Sequence, residues 1–241
     1  MSIIRTNILL LAIIAFLPAC FKRSIYVKKN AYADFTAIPH GFKPHSSFAI
    51  TPCEESNDLS AKEVERKISL ALQSKGFSLK HLNEANYCLM YKYGMTSDTR
   101  LVNNLQYIPG PSITTTGTVS GNYGYARYNE TTQASGTFIS IPEQRTYYTK
   151  HLHCYVYDIK GSMYMIVRKK DETPIWRGDA LCVDTYGDLR SDIDFLILDL
   201  FDSFGKNTIG HAYTNWYEDN ERIELFRTHC LNPDPTSRRN I

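Results

Sequence analysis

The middle of this 241-residue chain is the feature that most limits how it can fold. Residues 96–148 are rich in Thr, Gly, Ser and Tyr and contain almost no Leu, as the run ITTTGTVSGNYGYARYNETTQASGTFISIP illustrates. Thr and Tyr favour strands, but the stretch has too little aliphatic volume to bury a core of its own. We therefore expect a projecting, partly ordered hairpin, inserted into a domain whose core comes from the segments on either side.

Two segments outside this insertion have the spacing of amphipathic helices. In the first, Ser60 and Glu63 form a capping box and Gly76 ends the pattern. Its apolar stripe consists of Val64, Ile68, Ala71 and Leu72. In the second, Ser191 and Asp194 form a weaker capping pair, and a glycine again ends the pattern. Its core-facing residues are Ile193, Leu196, Ile197, Leu200, Phe201 and Phe204.

Strand patterns lie around these helices. Residues 46–52 and 86–94 are predicted strands before and after the first helix, and residues 149–184 have the pattern of a three-stranded antiparallel meander. This order predicts an α+β fold, with a mostly antiparallel sheet, two helices packed on one face and the long Gly/Tyr/Thr-rich hairpin as an insertion. We expect one domain over residues 46–215 and a polar, frayed tail over residues 216–241.

The N-terminus has the three parts of a secretory signal. Arg5 supplies a positive charge, residues 8–17 (ILLLAIIAFL) are apolar, and Ala19 is a small residue at the expected cleavage site. A transmembrane anchor is the alternative, but spanning a bilayer takes about 20 apolar residues, and the uninterrupted run is much shorter. We therefore predict that residues 1–19 are a signal peptide.

The end of this signal, LPAC, resembles the lipobox of bacterial lipoproteins, which Leu17, Ala19 and Cys20 match. The resemblance implies cleavage after Ala19, a diacylglycerol thioether on Cys20 and acylation (palmitate) of the new N-terminus. Two or three acyl chains hold a protein firmly on a membrane. Phe21 stands where lipoproteins of the inner membrane commonly carry Asp, so the resemblance implies the outer membrane. We expect residues 20–45 to form the acylated N-terminus and a tether, in which residues 24–27 (SIYV) are a candidate short strand.

Charge and cysteine content narrow the possible partners. The chain has 27 Lys and Arg against 25 Asp and Glu residues, and loss of Arg5 with the signal brings it closer to neutral. Nucleic acid is therefore not an expected partner, because it requires a clustered basic surface.

Besides Cys20 there are five cysteines, which are Cys53, Cys88, Cys154, Cys182 and Cys230. Disulfides form in the periplasm, but the odd number leaves at least one thiol unpaired and the spacing gives no pairing.

Three stretches resemble the DUF4136 family of bacterial lipoproteins. They are the helix AKEVERKISLALQSKGF with the strand ANYCLMYKYG that follows it, the strand IWRGDA, and the Gly- and Tyr-rich stretch between them. The resemblance spans roughly residues 46–205; the extra cysteines and the very long insertion depart from the family pattern. Because the activity of that family is unassigned, the resemblance implies architecture and location and no chemistry.

Three groups of residues invite a metal-binding or catalytic interpretation. His151 and His153 share one strand face, but a zinc site needs further ligands, so exposed strand residues are the better interpretation. Cys154 lies on the core side of the same strand, where a thiol is inert. The acidic group does not match a calcium loop; it consists of Asp184, Asp188, Asp192 and Asp194. We expect Asp188 and Asp192 to favour the start of the second helix through its dipole, and we predict no catalytic residue, metal or cofactor.

Aromatic residues supply the remaining candidates. Trp176 is expected to pack in the core, with Gly178 relieving crowding beside its indole. Tyr123, Tyr125 and Tyr128, in and beside GNYGY, are a possible binding surface, since exposed Tyr with Gly and Ser is common in adaptable paratopes.

These observations predict a non-enzymatic periplasmic lipoprotein. It would be held on the outer membrane by acyl chains on Cys20 and would bind an unknown protein or envelope component. The alternative is a periplasmic hydrolase with a Cys or carboxylate site in the groove beside the sheet. A hydrolase would show a deep pocket with perturbed ionisable groups, whereas a binding module would show a shallow exposed patch.

Overall fold

A computed structural model describes residues 23–54, 59–121, 124–159 and 173–231 of the chain, and within them it has nine strands and three helices. The strands are β1 (Ser24–Ala33), β2 (Ser47–Pro52), β3 (Ser78–Leu79), β4 (Tyr87–Ile108), β5 (Ser112–Gly121), β6 (Gly124–Gln133), β7 (Thr137–Asp158), β8 (Trp176–Asp184) and β9 (Ala212–Tyr217). The helices are α1 (Leu59–Ser74), α2 (Leu189–Asp202) and α3 (Glu221–Leu231). The fold is α+β.

The chain divides into two compact units. Unit 2 is residues Asp98–Tyr147, and unit 1 is the chain on either side of it. The sequence prediction put an insertion at residues 96–148. All the buried apolar residues of the described chain belong to unit 1.

The main sheet has the strand order β3-β2-β4-β7-β8-β1-β9. Strands β7, β8, β1 and β9 pair antiparallel in that order. In contrast, β2 runs parallel to both β3 and β4. The reason is the helix α1 between β2 and β4, because a crossover helix returns the chain in the same direction. The sheet is therefore mixed.

Helix α1 buries its predicted stripe against the core, with Val64, Ile68, Ala71 and Leu72 almost inaccessible to solvent. Gly76 follows the helix with φ of 82°, as expected for a glycine stop. The start differs from the prediction: the helix begins at Leu59, so Ser60 lies within its first turn. The Ser60 hydroxyl is 2.9 Å from the Tyr93 hydroxyl.

Helix α2 is buried around its whole circumference from Asp192 to Phe201. It contacts β1 and β8 of the sheet and both other helices, which explains why no side of it reaches water. Its N-cap is Asp188, whose carboxylate accepts a hydrogen bond from the Arg190 backbone N–H. The sequence had assigned the start to Ser191, a few residues later.

The region predicted as a polar tail contains a third helix. Strand β9 extends to Tyr217, and α3 follows it, capped by the Asn220 side chain, which accepts a hydrogen bond from the Arg222 N–H. Ile223, Phe226 and Cys230 are buried. Their i, i+3, i+7 spacing was the available signal, but the many polar residues between them concealed it. Residues 232–241 lie outside the described chain.

The sequence predicts a tether with one short strand at residues 24–27, whereas strand β1 extends over Ser24–Ala33. Strand β1 lies inside the sheet between β8 and β9, with Ile25, Val27 and Ala31 facing the core. The basic residues in this strand suggested a solvated segment. Lys29 instead points inward and pairs with the carboxylate of Asp199 on α2, at 3.2 Å.

The strands predicted as a meander are not paired in the predicted order. Its first and third strands correspond to β7 and β8, which pair directly with each other, for example Leu152 with Ala180. The middle strand of a meander would have to lie between them. That predicted strand falls in residues 160–172, outside the described chain.

An aromatic cluster holds the sheet to the helices. Phe204, just after α2, lies at its centre with its ring centroid 4.8 Å from those of Trp176 and Phe42. Trp176 is completely buried, as predicted. Gly178 lies beside the indole, and a Cβ atom there would come within 2.4 Å of Trp176 Cη2 and 2.7 Å of Leu200 Cδ1. The predicted role of Gly178 is confirmed.

We expect Gly178→Ala to lower the free energy of unfolding by about 1–3 kcal/mol, because the methyl group overpacks a rigid aromatic contact. Urea denaturation measures this change. Val183→Ala on the same strand is the matched control: Val183 is exposed, so stability should change by less than about 0.5 kcal/mol. Equal stability of the Gly178→Ala variant and the unmodified protein would show that the core relaxes freely around the indole.

Candidate functional site

The residues predicted for lipidation and cleavage, Leu17, Ala19 and Cys20, lie outside the described chain, as does Tyr123. Tyr125 and Tyr128 belong to β6, where they face Ser120 and Gly117 of β5; their side chains are not described. The predicted tyrosine surface therefore stays a prediction.

The histidine pair lies where the sequence placed it, on the sheet face opposite the core residues Leu152 and Cys154. The rings of His151 and His153 are 5.1 Å apart. The sequence missed Asp179 on the neighbouring strand β8, whose Oδ1 is 2.6 Å from His153 Nδ1. Burial would raise the pKa of Asp179, but hydrogen bonds from His153 and Arg177 outweigh it and lower that pKa. Within the described chain, no group of three His, Cys, Asp or Glu side chains has the geometry of a metal site.

All five cysteines that follow Cys20 lie in the described chain, where Cys53, Cys154, Cys182 and Cys230 are free thiols and Cys88 is buried. Burial raises the pKa of the thiols of Cys53 and Cys154, and raises that of Cys182 to about 12 and that of Cys230 to about 11. A nucleophilic cysteine requires the opposite shift, since the thiolate is the reactive form. These four thiols are therefore unsuited to nucleophilic catalysis.

A cluster of four charged groups lies where β1 begins. We call Arg23, Lys150, Asp184 and Asp192 the edge cluster. Lys150 on β7 is fully buried; its ammonium group contacts the Asp192 carboxylate and lies 3.0 Å from Asp184 Oδ1. Arg23 donates hydrogen bonds to both carboxylates, at 2.8 Å for Asp192. The cluster joins β1, β7, β8 and α2.

The pKa values of the two carboxyl groups of the edge cluster are shifted in opposite directions. Burial raises the pKa of Asp192, even though Lys150 and Arg23 favour its charged form. Burial acts the same way on Asp184, but hydrogen bonds from Lys150 and Arg23 lower its pKa overall. Asp184 therefore stabilises the fold above the pKa of an unfolded carboxyl group, and this stabilisation is lost as the pH falls through its folded-state pKa. For Asp192 the sign is reversed: stabilisation is present at low pH and is lost as the pH rises.

The sequence predicts that Asp188 and Asp192 favour the start of α2, and the structure has both residues there: Asp188 is the N-cap and Asp192 lies in the first turn. The prediction did not include the full burial of Asp192 or its contact with Lys150. Lys150 was missed because it continues the core-facing alternation of Leu152, Cys154 and Val156 at a position where an apolar residue is the norm.

A pocket of about 460 Å³ opens between the start of α2 and the helices α1 and α3. Ion pairs tie its walls together: Lys67 lies 2.7 Å from Asp194 and 3.0 Å from Glu63, and Arg227 lies 3.1 Å from Asp194. Arg190 also pairs with Glu63, at 2.8 Å. These pairs link all three helices, which accounts for the charges around the pocket without a substrate.

Unit 2 is a two-stranded ribbon, which we call the ribbon and which comprises residues 98–147. Thr99 and Thr146 have their hydroxyl groups 3.1 Å apart, and the rings of Tyr107 and Phe138 are 5.2 Å apart, so β4 and β7 run antiparallel here. Beyond them β5 pairs with β6, from Ser112 with Gln133 to Gly121 with Gly124. Wherever the burial of a ribbon residue is described, that residue is not buried.

The ribbon nevertheless exposes large apolar side chains. Leu101, Leu105 and Phe138 are 71%, 68% and 68% exposed, and Tyr107 is also exposed. Alternation along the strand places Leu101, Leu105 and Tyr107 on one face, and Phe138 joins them through its contact with Tyr107. We call these four residues the apolar face.

The opposite face of the ribbon has the charged groups, together with aliphatic side chains. There Asn104 donates a hydrogen bond to Glu143 at 3.4 Å, and Arg145 pairs with Glu143 at 3.0 Å. Ile108 and Ile141 also belong to this face and are less exposed than Leu101 and Leu105. Val102 and Ile139 share this face by the same alternation and are half-buried. The two faces therefore differ in charge and in how exposed their apolar side chains are.

Comparisons with known proteins assign no family. No family model matches the chain, and no curated protein matches it. A crystal structure of a PDZ domain protein from Parabacteroides distasonis is similar with a TM-score of 0.36 and 9% identity; the match covers 80% of this chain and 39% of that structure. The resemblance to the DUF4136 family stays a prediction. None of the helices in the described chain has the length and hydropathy of a membrane span.

We expect Lys150→Met to destabilise the protein by about 3–5 kcal/mol, because it leaves the buried Asp192 carboxylate with weaker compensation. The double variant Lys150→Met/Asp192→Leu should recover most of that loss, since it removes both buried charges together. Thermal or urea unfolding measures both variants.

The control for this pair is Lys92→Met, which removes an exposed lysine paired with the exposed Glu54. Its stability should stay close to that of the unmodified protein. A double variant no more stable than Lys150→Met alone would show that Lys150 acts mainly through Asp184.

Proposed function

We propose that this chain is a lipid-anchored, non-enzymatic binding module of the bacterial envelope. Cleavage after Ala19 would leave Cys20 as the acylated N-terminus, and Phe21 favours the outer membrane, with the folded domain in the periplasm. The lipobox match of Leu17, Ala19 and Cys20 supports the anchor. In this proposal the insertion is a long hairpin that carries the binding surface for an envelope component.

The observation that carries the binding role is the apolar face of the ribbon. An isolated two-stranded ribbon is marginally stable in water, and exposed apolar patches on a soluble domain commonly mark interaction sites. Among the ribbon residues whose burial is described, none is a buried apolar side chain, so burial in a core does not account for residues such as Leu101 and Leu105. A binding partner that covers them does.

The chemistry of unit 1 favours binding over hydrolysis. The thiols of Cys154 and Cys182 are held protonated by burial, which removes support from a cysteine hydrolase. The carboxylates Asp184, Asp192 and Asp194 are committed to ion pairs that join secondary-structure elements. This supports a structural role for them.

The anchor predicts that Cys20→Ala abolishes incorporation of radiolabelled palmitate in a double-membraned bacterial host and leaves an uncleaved precursor. The reason is that thioether formation on Cys20 precedes cleavage in the lipoproteins that the lipobox resembles. Cys53→Ala removes a different cysteine and should label normally. Labelling that persists in the Cys20→Ala protein, detected by autoradiography, would refute the anchor.

The binding role predicts that the ribbon is dispensable for folding and required for partner capture. Replacing residues 99–146 by Asn-Gly joins Asp98 to Tyr147 through a two-residue turn that suits a hairpin. We expect this variant to melt cooperatively, because the core lies in unit 1, and to lose the cross-links that the anchored protein forms in intact cells. Undiminished cross-linking would assign the binding surface to unit 1, and loss of cooperative melting would make the ribbon part of the fold.

A further inference from the structure

We infer that the ribbon docks on a lipid bilayer through its apolar face, and that this bilayer is the one that the acyl chains on Cys20 would occupy. The inference rests on the proposed anchor and names the envelope component that the ribbon binds. Its four contact residues are Leu101, Leu105, Tyr107 and Phe138.

The first argument is where the ribbon joins unit 1. Tyr148, the residue at which the chain returns from the ribbon, pairs in register with Asp184. Arg23 binds the same Asp184, and only Phe21 and Lys22 separate Arg23 from Cys20 in the sequence. The three residue-to-residue steps from Cys20 to Arg23 span at most about 11 Å. Tyr148, where the chain returns from the ribbon, is therefore close in unit 1 to the point that the acyl chains would hold near the membrane.

The second argument is the distribution of charge. Residues 101–126 and 131–142 contain no charged side chain, whereas the opposite face near the base of the ribbon has Arg100, Glu143 and Arg145. A protein partner is commonly recognised through complementary charges at the interface rim, and these long runs offer none. An uncharged apolar face with a charged opposite face is instead the pattern of an element that lies flat in the membrane interface.

The third argument is the composition at the base of the ribbon. Arg100 lies over the ring of Tyr147, 5.8 Å from its centroid, and Tyr148 follows directly. Tyr has an apolar ring with a polar end, which suits the headgroup region of a bilayer. Arg extends an apolar stem with its charge in water. The base of the ribbon thus has the residues expected at a membrane–water boundary.

The test uses the mature chain from residue 20 with Cys20→Ser, so that no acyl chain contributes, and vesicles of neutral phosphatidylcholine. The protein should float with the vesicles, and raising salt to about 0.5 M should leave flotation unchanged, because salt screens charge and does not weaken apolar contacts. Leu101→Asn/Leu105→Asn should weaken partitioning by at least about tenfold, since two exposed leucine side chains no longer enter the interface.

The matched control is Ile108→Asn/Ile141→Asn, which makes the same kind of substitution on the opposite face and should change partitioning by less than about twofold. Circular dichroism checks that both variants fold. Absence of flotation, equal loss in both variants, or release by salt would overturn the inference. So would a dimer in vesicle-free solution that Leu101→Asn/Leu105→Asn alone dissociates, since the apolar face would then bind a second copy. The palmitate experiment reports on the anchor independently of these results.

Discussion

Three aspartates in the buried helix α2 each need a cationic partner from another element, and this need determines which elements of unit 1 lie around the helix. Helix α2 has Asp192, Asp194 and Asp199 in a segment with almost no solvent contact, and a buried carboxylate is costly without a partner. Each finds its partners on different elements. Asp192 pairs with Lys150 of β7 and with Arg23. Asp194 pairs with Lys67 of α1 and Arg227 of α3. Asp199 pairs with Lys29 of β1 and accepts a hydrogen bond from the indole N–H of Trp216 on β9. Buried pairs of this kind add little net stability, but they restrict how the elements around α2 can be arranged.

This requirement explains which parts of the fold the sequence predicts. The stripe of α1 and the core roles of Trp176 and Gly178 follow from local spacing, and the structure has them as predicted. Strand β1 does not follow from local spacing, because Lys29 is acceptable inside the sheet only when Asp199, far along the chain, is placed beside it. Lys150 poses the same difficulty with Asp192. In contrast, the parallel pairing of β2 with β4 was predictable from the strand–helix–strand order, and α3 was predictable from the spacing of Ile223 and Phe226.

The candidate binding surface was predictable in outline only. Its composition predicts strands without a core. Of the tyrosines chosen from it, Tyr125 and Tyr128 belong to β6, whereas the exposed apolar side chains of the described ribbon include Leu101 and Leu105 on β4. Singling out these leucines required knowing that their side chains are exposed in the folded chain. That information is long-range, since a leucine on a strand is ordinarily a core residue.

The edge cluster fixes Arg23 on the folded domain, which leaves only a short segment between that residue and Cys20. Arg23 is held by two carboxylates, so only the residues from Cys20 to Lys22 remain between the proposed acyl chains and a fixed point on the sheet. A long tether would let the domain sample a large volume above the membrane. With the proposed anchor, a connection of about 11 Å would instead keep Arg23 near the membrane surface, and a contact of the ribbon with the same membrane would be effectively intramolecular. The anchor would therefore strengthen a lipid contact that the apolar face makes by itself, and the two attachments together would hold the protein more tightly than either alone.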